Sequence, residues 1–255
     1  MSECNPSASR TARPLCGVSS TYLGRPETAC SFANTSVAFS QPAYGISYDR
    51  SIIKHDLQRE FGPIDIYLFD QLLRGRIAPG MRIVDAGCGH GRNLVYLLRE
   101  RFQVFGADGD ARAIAAVRQL AASLAPDLPL ENFRVEPVEA MSFDDAFADL
   151  VISSAVLHFA RDDQHFDAML RGTWRVLKPG GLFFCRLASS IGIESQVKCI
   201  AGRRFLLPDG SERYLVDGAL LLALTNQLGG RFEDPLKTTV VQNQRSMTTW
   251  VLRKD

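Results

Sequence analysis

Three glycines form a G-x-G-x-G pattern between an apolar segment and an amphipathic one: Gly87, Gly89 and Gly91. Glycine lets the backbone approach a ligand closely because it has no Cβ. Asp85 precedes the loop, and Asp108 follows it at about the 20-residue distance at which an acidic residue meets a ribose in nucleotide-binding folds. These residue types predict a site for a ribose-containing ligand, either a dinucleotide or an adenosyl cofactor.

The glycine spacing separates these two ligands. Dinucleotide sites use G-x-G-x-x-G, which brings the pyrophosphate to a helix N-terminus, and the loop does not contain that spacing. Adenosylmethionine has no phosphate but carries an ammonium and a sulfonium group, and Asp85 is a candidate partner for its cationic end. The spacing favours the adenosyl cofactor, and a nicotinamide-dependent oxidoreductase stays as an alternative.

Strands and helices alternate around this loop. The predicted strands are 81–86, 102–107, 132–138, 150–154 and 182–187, and the helices between them are 92–101, 110–124 and 164–177. This order predicts a parallel sheet with helices on both faces. Two helices, 52–61 and 66–73, precede the first strand. After a helix at 214–228, the β-rich segments 231–241 and 245–252 must be antiparallel because their link is so short.

Composition limits the domain organisation and the partners. Residues 1–45 are rich in Ser, Thr, Ala and Pro without a hydrophobic period, which predicts disorder. One domain is expected over 46–255, with a substrate-side insertion at about 189–213. The net charge of +1 offers no field for nucleic acid, and no apolar run reaches the ~20 residues of a membrane span. We expect no partner of either kind, and a monomer or homodimer.

The six cysteines include no C-x-x-C pair, so we expect no structural zinc and no other metal. Free thiols are typical of a reducing compartment, which predicts a cytoplasmic location.

Several motifs resemble those of the class I methyltransferases. Val84-Asp85-Ala86-Gly87-Cys88-Gly89-His90-Gly91 resembles motif I, residues 106–108 resemble motif II, residues 148–154 resemble motif IV, and residues 177–181 resemble the turn before strand five. The resemblance implies an α/β Rossmann-like methyltransferase fold. That fold is a three-layer sandwich around a mostly parallel seven-stranded sheet whose last strand is antiparallel. It also implies S-adenosyl-L-methionine as cofactor and methyl transfer to a small-molecule acceptor. A non-catalytic protein that binds an adenosyl cofactor is the other reading of the same fold.

The resemblance implies the cofactor contacts as well. Asp108 would bind the ribose, Gly109 would lie beside the adenine, and Val138 and Glu139 would hold the adenine edge. Pro137 departs from the family pattern, since it offers no N–H there. Cys88 is interpreted as a small apolar filler. Ser153 and Ser154 would line the cofactor at the end of the fourth strand. The full predicted set is Asp85, Gly87, Cys88, Gly89, Asn93, Asp108, Gly109, Val138, Glu139 and Ser153.

A narrower resemblance concerns the acceptor. Residues 89–93, 205–214 and 248–254 resemble the tellurite-resistance methyltransferases. That subfamily methylates small electron-rich acceptors, such as oxyanions of tellurium and selenium, which implies an oxyanion or another small nucleophile as substrate.

His158 and Arg245 are the predicted catalytic residues. His158 follows the fourth strand and is a candidate for general base or for positioning the acceptor; a partly exposed histidine at a helix start is the alternative. Arg245 opens the last strand, and with Arg203, Arg204 and Arg213 it is a candidate clamp for an anionic acceptor. Solvated surface charge is the alternative for each arginine. Tyr44 and Tyr48 are candidates for a lid over the cofactor.

Overall fold

The computed structural model describes residues 56–255. The expected disorder of residues 1–45, the first turns of the helix expected at 52–61, and the lid role of Tyr44 and Tyr48 lie outside the described residues.

In the described part of the chain, eight strand segments form the main sheet. They are β1 (Arg82–Ala86), β2 (Gln103–Asp108), β3 (Phe133–Val135), β4 (Ala148–Ser154), β5 (Leu177–Ala188), β9 (Gly230–Phe232), β10 (Lys237–Val241) and β11 (Arg245–Lys254). Their order is β10-β11-β5-β4-β1-β2-β3, with β9 also paired to β11. Pairs among β1 to β5 are parallel, whereas β11 runs antiparallel to its neighbours. The predicted mostly parallel sheet with an antiparallel last strand is confirmed.

The segments β9 and β10 are two pieces of one edge strand. Phe232 pairs with Leu252 and Lys237 pairs with Thr249, so the two pieces occupy successive parts of β11. The interruption includes Pro235, which has no N–H for a sheet hydrogen bond. The sequence prediction of one continuous segment, 231–241, missed this break.

Residues 56–255 form six α-helices beside the sheet. They are α1 (Leu57–Phe61), α2 (Ile66–Leu73), α3 (Val95–Arg99), α4 (Ala111–Leu124), α5 (Asp163–Val176) and α6 (Gly218–Gln227). Five of them begin at an aspartate whose carboxylate accepts a backbone N–H of the first turn: Asp56, Asp65, Asp110, Asp162 and Asp217. Such caps are worth about 1 kcal/mol each. The caps fix the first residue of each of these helices, and therefore how the helix is placed relative to the strand ends.

The core consists of two apolar layers, one on each face of the sheet. Strand β5 contributes Phe183 to one layer and Phe184 to the other, and β11 contributes Trp250 and Val251 in the same alternating way. Burial of each such side chain stabilises the fold by roughly 1.5–3 kcal/mol. The indole N–H of the fully buried Trp250 donates to Thr225 Oγ1 at 3.0 Å, so no polar group is left unpaired there.

A second, small sheet lies between β5 and α6. Its antiparallel strands are β6 (Lys198–Ala201), β7 (Arg204–Leu206) and β8 (Glu212–Tyr214). The sequence prediction started a helix at Tyr214, but Tyr214 pairs with Arg204 in the small sheet. The helix begins only after Asp217, which caps it.

Candidate active site

The glycine loop lies between β1 and α3 and is tied to β2. The N–H groups of Gly87 and Cys88 both donate to the carbonyl of Ala107, at 2.8 and 3.1 Å. Gly87 has φ +82°, and a Cβ there would lie 2.5 Å from Val156 Cγ2. Only glycine fits this position, because it combines a left-handed backbone with a close neighbour.

Asp108 stands at the carboxyl end of β2 and organises the same loop. One carboxylate oxygen accepts the N–H of Gly89 and the other accepts the N–H of Asp110, both at 2.9 Å. An ionised carboxylate can accept about four hydrogen bonds. Asp108 therefore keeps capacity for a ligand hydroxyl while it holds the loop in place.

These residues border a cleft of about 690 Å³, hereafter the first cleft. Its volume lies within the roughly 300–1,000 Å³ of small-molecule sites. Seven of the ten predicted cofactor residues line it: Gly87, Cys88, Gly89, Asn93, Asp108, Gly109 and Val138. The cleft opens at the carboxyl ends of the parallel strands, where open α/β sheets bind ligands.

Asp85 lies behind the loop and is 1% exposed. Neither carboxylate oxygen has a hydrogen-bond partner among residues 56–255. Burial raises its pKa to about 7; the positive charge of Arg92 opposes this shift and Asp108 adds to it. A buried carboxylate without a partner is costly. The position therefore suits a cationic ligand group that would compensate the charge.

Three predicted contacts do not line the first cleft: Asp85, which is buried behind the loop, Glu139 and Ser153. Glu139 does not line it, and its Oε1 lies 3.1 Å from Nε2 of His165. Ser153 is completely buried, and its neighbour Ser154 lines the cleft instead. Successive residues of a strand point to opposite faces. Only one of two adjacent serines can therefore face the cleft.

Helix α5 packs closely against the turn at 138–140. A Cβ on Gly172 would lie 2.6 Å from the carbonyl oxygen of Val138. Val138 and Glu139 open a short 3₁₀ turn, whose first N–H groups have no carbonyl partner within it. Gly172 thus sets how near the helix comes to the side of the cleft predicted for adenine.

Cys88 is 4% exposed, and burial raises the pKa of its thiol further above neutrality. A thiol that stays protonated is a poor nucleophile. This geometry agrees with the interpretation of Cys88 as an apolar filler.

A second cleft of about 290 Å³ adjoins the first at Ala155, which lines both. Ala155 has φ +65°, and its N–H donates to the Arg186 carbonyl at 2.7 Å. A non-glycine residue in this backbone region is uncommon and occurs often at functional sites. Residues of the small sheet and of β11 supply much of the second cleft, including Leu207, Arg213 and Arg245.

His158 lines the second cleft and is 5% exposed. Its Nδ1 accepts the N–H of Ala188 at 3.1 Å, which places the ring proton on Nε2 in the neutral form. Burial, followed by the charges of Arg213 and Arg186, lowers its pKa to about 4. His158 is therefore a neutral hydrogen-bond donor near pH 7, and the predicted alternative of a partly exposed histidine is wrong.

The four arginines predicted as a clamp for an anionic acceptor fall into two pairs. Arg203 pairs with Asp217 at 2.9 Å, and Arg204 pairs with Glu212. Arg213 and Arg245 line the second cleft, and neither has a carboxylate within 4.0 Å among the described residues. The structure thus brings Arg245 and His158 to the same cleft.

The sequence prediction missed Asp65 and Arg186. Asp65 caps α2, and its fully buried Oδ2 lies 3.0 Å from Arg186 Nη1 and 3.8 Å from Arg92 Nη2. Arg92 lines the first cleft and donates to Ser154 Oγ at 2.9 Å, whereas Arg186 lines the second. Asp65 carried a local signal as a helix cap, but no local signal pairs it with Arg186.

Residues 84–185 match the family model of a methyltransferase domain. This segment runs from β1 into β5 and includes the glycine loop. The expected resemblance to the class I methyltransferases is confirmed for this domain.

Among curated proteins, an uncharacterized methyltransferase of Synechocystis sp. is 31% identical over 107 residues, which are 42% of this chain and 47% of that protein. A ubiquinone biosynthesis O-methyltransferase of Chelativorans sp. is 28% identical over 142 residues, 53% of this chain and 52% of that protein. The chain spans about half the length of these curated relatives.

Among solved structures, the 1,6-didemethyltoxoflavin-N1-methyltransferase of Burkholderia thailandensis superposes with a TM-score of 0.58 at 16% identity. The superposition covers 78% of this chain and 81% of that one. That structure contains 1,6-didemethyltoxoflavin and S-adenosylhomocysteine. At this identity the likeness concerns the fold. Between residues 56 and 255, no helix has the length and apolar character to cross a membrane.

Proposed function

We propose that this chain is an S-adenosylmethionine-dependent methyltransferase that acts on a small-molecule acceptor. The observation that carries the proposal is the buried Asp85 carboxylate, which lacks a partner among the described residues behind a glycine loop organised by Asp108. A ligand with both a ribose and a cationic amino-acid end satisfies both groups at once. A nicotinamide dinucleotide offers a ribose but has no cationic amino-acid end to compensate Asp85.

The first cleft has a residue for each part of this cofactor. Asp108 would accept hydrogen bonds from the ribose hydroxyls, with Gly109 beside the adenine. The N–H groups of Val138 and Glu139 would meet the adenine edge. Glu139 would contribute only its backbone, because its side chain faces His165. Of the two serines expected to line the cofactor, Ser154 would contribute, because it lines the cleft and Ser153 does not.

The amino-acid end of the cofactor would lie at the start of α3. Asp85 would balance the ammonium group from behind the loop, while Arg92 and Asn93, which line the first cleft, would face the carboxylate. Arg92 is anchored for this task by its hydrogen bond to Ser154. Oppositely charged ends of the ligand would thus meet oppositely charged residues.

When bound, S-adenosylmethionine would supply an electrophilic methyl group on a sulfonium sulfur. The chain's contribution is to hold the acceptor in line with that methyl group, which is the main source of rate in such a displacement. The second cleft adjoins the first at Ala155 and would hold the acceptor. His158 would donate from Nε2 to orient it. His158 would not remove a proton from it, because Nε2 already carries one.

Other functions make different predictions for the same chain. The acceptor is an oxyanion of selenium or tellurium if the narrower sequence resemblance holds, and another small nucleophile otherwise. A non-catalytic protein would bind the cofactor without turnover. A nicotinamide-dependent oxidoreductase would bind NADH in the first cleft. The cytoplasmic location, the absence of nucleic-acid partners and a monomeric or homodimeric state stay predictions.

Isothermal titration calorimetry with S-adenosylhomocysteine tests the proposal, with NADH titrated in parallel. We expect one site for S-adenosylhomocysteine and no heat from NADH. Absence of S-adenosylhomocysteine binding overturns the proposal. A second assay follows S-adenosylhomocysteine release from S-adenosylmethionine with selenite, tellurite, thiols and small carboxylates. Binding without release in any of these mixtures favours the non-catalytic alternative.

A further inference from the structure

The side chains that line the second cleft carry a net positive charge. Arg186, Arg213 and Arg245 contribute three positive charges and Asp209 one negative charge; with the Asp65 carboxylate that pairs with Arg186 also counted, the balance is +1. His158 adds none near pH 7, because its pKa is lowered to about 4 by burial and by the arginines. A concave, partly enclosed surface with this balance concentrates anions.

Two of the three arginines are available to a ligand. Arg186 is already paired with Asp65 at 3.0 Å. Arg213 donates to the carbonyl of Glu212 at 2.6 Å and lies over the Phe159 ring, and these contacts leave its charge uncompensated. Arg245 is exposed, and residues 56–255 place no carboxylate within 4.0 Å of it.

Asp209 does not neutralise this pair. Its Oδ1 accepts both the N–H and the hydroxyl of Ser211, at 2.9 and 2.6 Å. These bonds, aided by the charges of Arg213 and Arg245, hold the pKa of Asp209 below its ordinary value. The carboxylate thus remains ionised and fixed on its own turn, and it leaves both guanidinium groups to a ligand.

Apolar side chains line the rest of the second cleft. Leu207, Met247, Val241 and Ala188 belong to it together with the charged groups. Its volume of about 290 Å³ is roughly ten times the ~30 Å³ share of a water molecule. An inorganic anion of three oxygens would leave most of this space and all of this apolar surface unused. The cleft has the character of a site for a molecule with one anionic end and an apolar body.

We propose that the second cleft binds a small organic carboxylate, whose carboxylate group is held by Arg213 and Arg245 and whose apolar part packs against Leu207, Val241 and Met247. This inference rests on the proposed function, because it takes the second cleft as the acceptor site, and it names the acceptor class. Guanidinium groups bind carboxylates in a planar, often bidentate way. Ala155 and His158 then face the end of the ligand nearest the first cleft.

The test uses the full chain saturated with S-adenosylhomocysteine. Acetate, hexanoate, benzoate and 3-hydroxybenzoate are titrated as probes, each beside its neutral amide, and selenite is titrated alone. We expect at least one of the larger acids to bind about tenfold or more tightly than its amide, as charge-assisted hydrogen bonds would give. Acetate should bind more weakly than hexanoate or benzoate, because it lacks the apolar body.

The variant Arg213→Gln/Arg245→Gln should lose the preference for acid over amide and keep its affinity for S-adenosylhomocysteine. The matched control, Arg101→Gln/Arg171→Gln, removes two exposed, ion-paired arginines and should keep the preference. The proposal is overturned if no acid binds at millimolar concentration, if amides bind equally well, or if the double variant keeps the preference. It is also overturned if selenite binds more tightly than every acid. Failure of the proposed function would appear earlier, as absence of S-adenosylhomocysteine binding.

Discussion

The Oδ2 atom of Asp65 lies 3.0 Å from Nη1 of Arg186, and this pair joins the start of α2 to strand β5 across 121 positions of the chain. Arg92 approaches the same oxygen at 3.8 Å. One fully buried carboxylate therefore holds an arginine of each cleft. The site for the proposed cofactor and the site for the acceptor share this anchor.

Replacement of Asp65 should destabilise the protein and disturb both clefts. Asp65→Asn keeps a capping oxygen for α2 but leaves Arg186 without its countercharge. Removal of one partner of a buried pair costs about 3–5 kcal/mol, and the partial exposure of Arg186 reduces the expected loss to about 2–3 kcal/mol. Urea denaturation measures it. Asp56→Asn at the exposed cap of α1 is the control and should change little, because Asn also caps helices well. Equal losses in both variants would contradict the anchoring role.

Asp85 should make cofactor affinity depend on pH near neutrality. Its pKa is raised to about 7 by burial, so it becomes charged, and attractive to an ammonium group, as the pH rises from 6 to 8. Affinity for S-adenosylhomocysteine should rise over this range, by at most about tenfold per pH unit. Asp85→Asn should flatten the profile, and Asp127→Asn on the exposed surface should not.

The same shift predicts the stability of the ligand-free protein. Because the pKa is raised on folding, the folded state holds an extra proton between about pH 4 and 7. The stabilisation is therefore complete below the unfolded pKa and is lost as the pH rises through 7. Asp85→Asn should remove this pH-dependent loss of stability. A steeper loss in the variant than in the unsubstituted protein would contradict the prediction.

His158 should act as a donor and not as a base. His158→Gln keeps an acceptor and an N–H donor, so it should retain most of the kcat, whereas His158→Ala should lower kcat by roughly 10–100-fold. S-adenosylhomocysteine affinity should stay unchanged in both. Its pKa of about 4 predicts no histidine inflection in the kcat profile between pH 5.5 and 8. A general base would instead make Gln as inactive as Ala and would give an inflection.

Asp108 should contribute to affinity through the ribose and through the loop. Asp108→Ala removes the acceptor for Gly89 and Asp110 N–H groups. Loss of such bonds should weaken S-adenosylhomocysteine binding by about 1–3 kcal/mol. The affinity of Asp108→Asn for S-adenosylhomocysteine should lie between those of Asp108→Ala and the unsubstituted protein. Calorimetry gives the affinities, and unchanged binding by Asp108→Ala would exclude the ribose role.

Gly172 should be sensitive to the smallest possible addition. Gly172→Ala places a Cβ 2.6 Å from the Val138 carbonyl, so α5 must move away from the turn at 138–140. We expect a stability loss of about 1–3 kcal/mol and weaker S-adenosylhomocysteine binding. Gly218→Ala is the matched control, since nothing lies within 4 Å of the added Cβ. That substitution should be neutral or slightly stabilising. A tolerant Gly172→Ala variant would show that the helix can shift without cost.

The part of the fold that could be predicted from sequence depends on local signals. The glycine loop, Asp108 and the alternation of strands and helices each occupy a few consecutive residues, and they located β1 to β5 and the first cleft. The sequence did not distinguish Ser153 from Ser154, because a buried strand has apolar neighbours on both faces and its register is not visible in the sequence.

The second cleft was harder to predict because it depends on distant pairs. Arg203 and Arg204 look equivalent to Arg213 in sequence, yet only Arg213 faces the cleft without a paired carboxylate in the described part of the chain. The pairing of Asp65 with Arg186 and the hydrogen bond between Ala188 and His158 bring together residues far apart in the chain. Such contacts follow from topology and packing, which no local pattern encodes.

The small sheet β6–β8 packs on an apolar cluster of its own, which contains Ala188, Leu207 and Leu215 and is separate from the two layers around the main sheet. One side of the second cleft is therefore supported by an apolar cluster that contains no residue of the glycine loop. Under the proposed function, substitutions in this part of the second cleft would change the acceptor preference and leave the first cleft unchanged. For engineering, residues 198–213 are the segment to exchange, because the next residue, Tyr214, packs in the main core against Phe166.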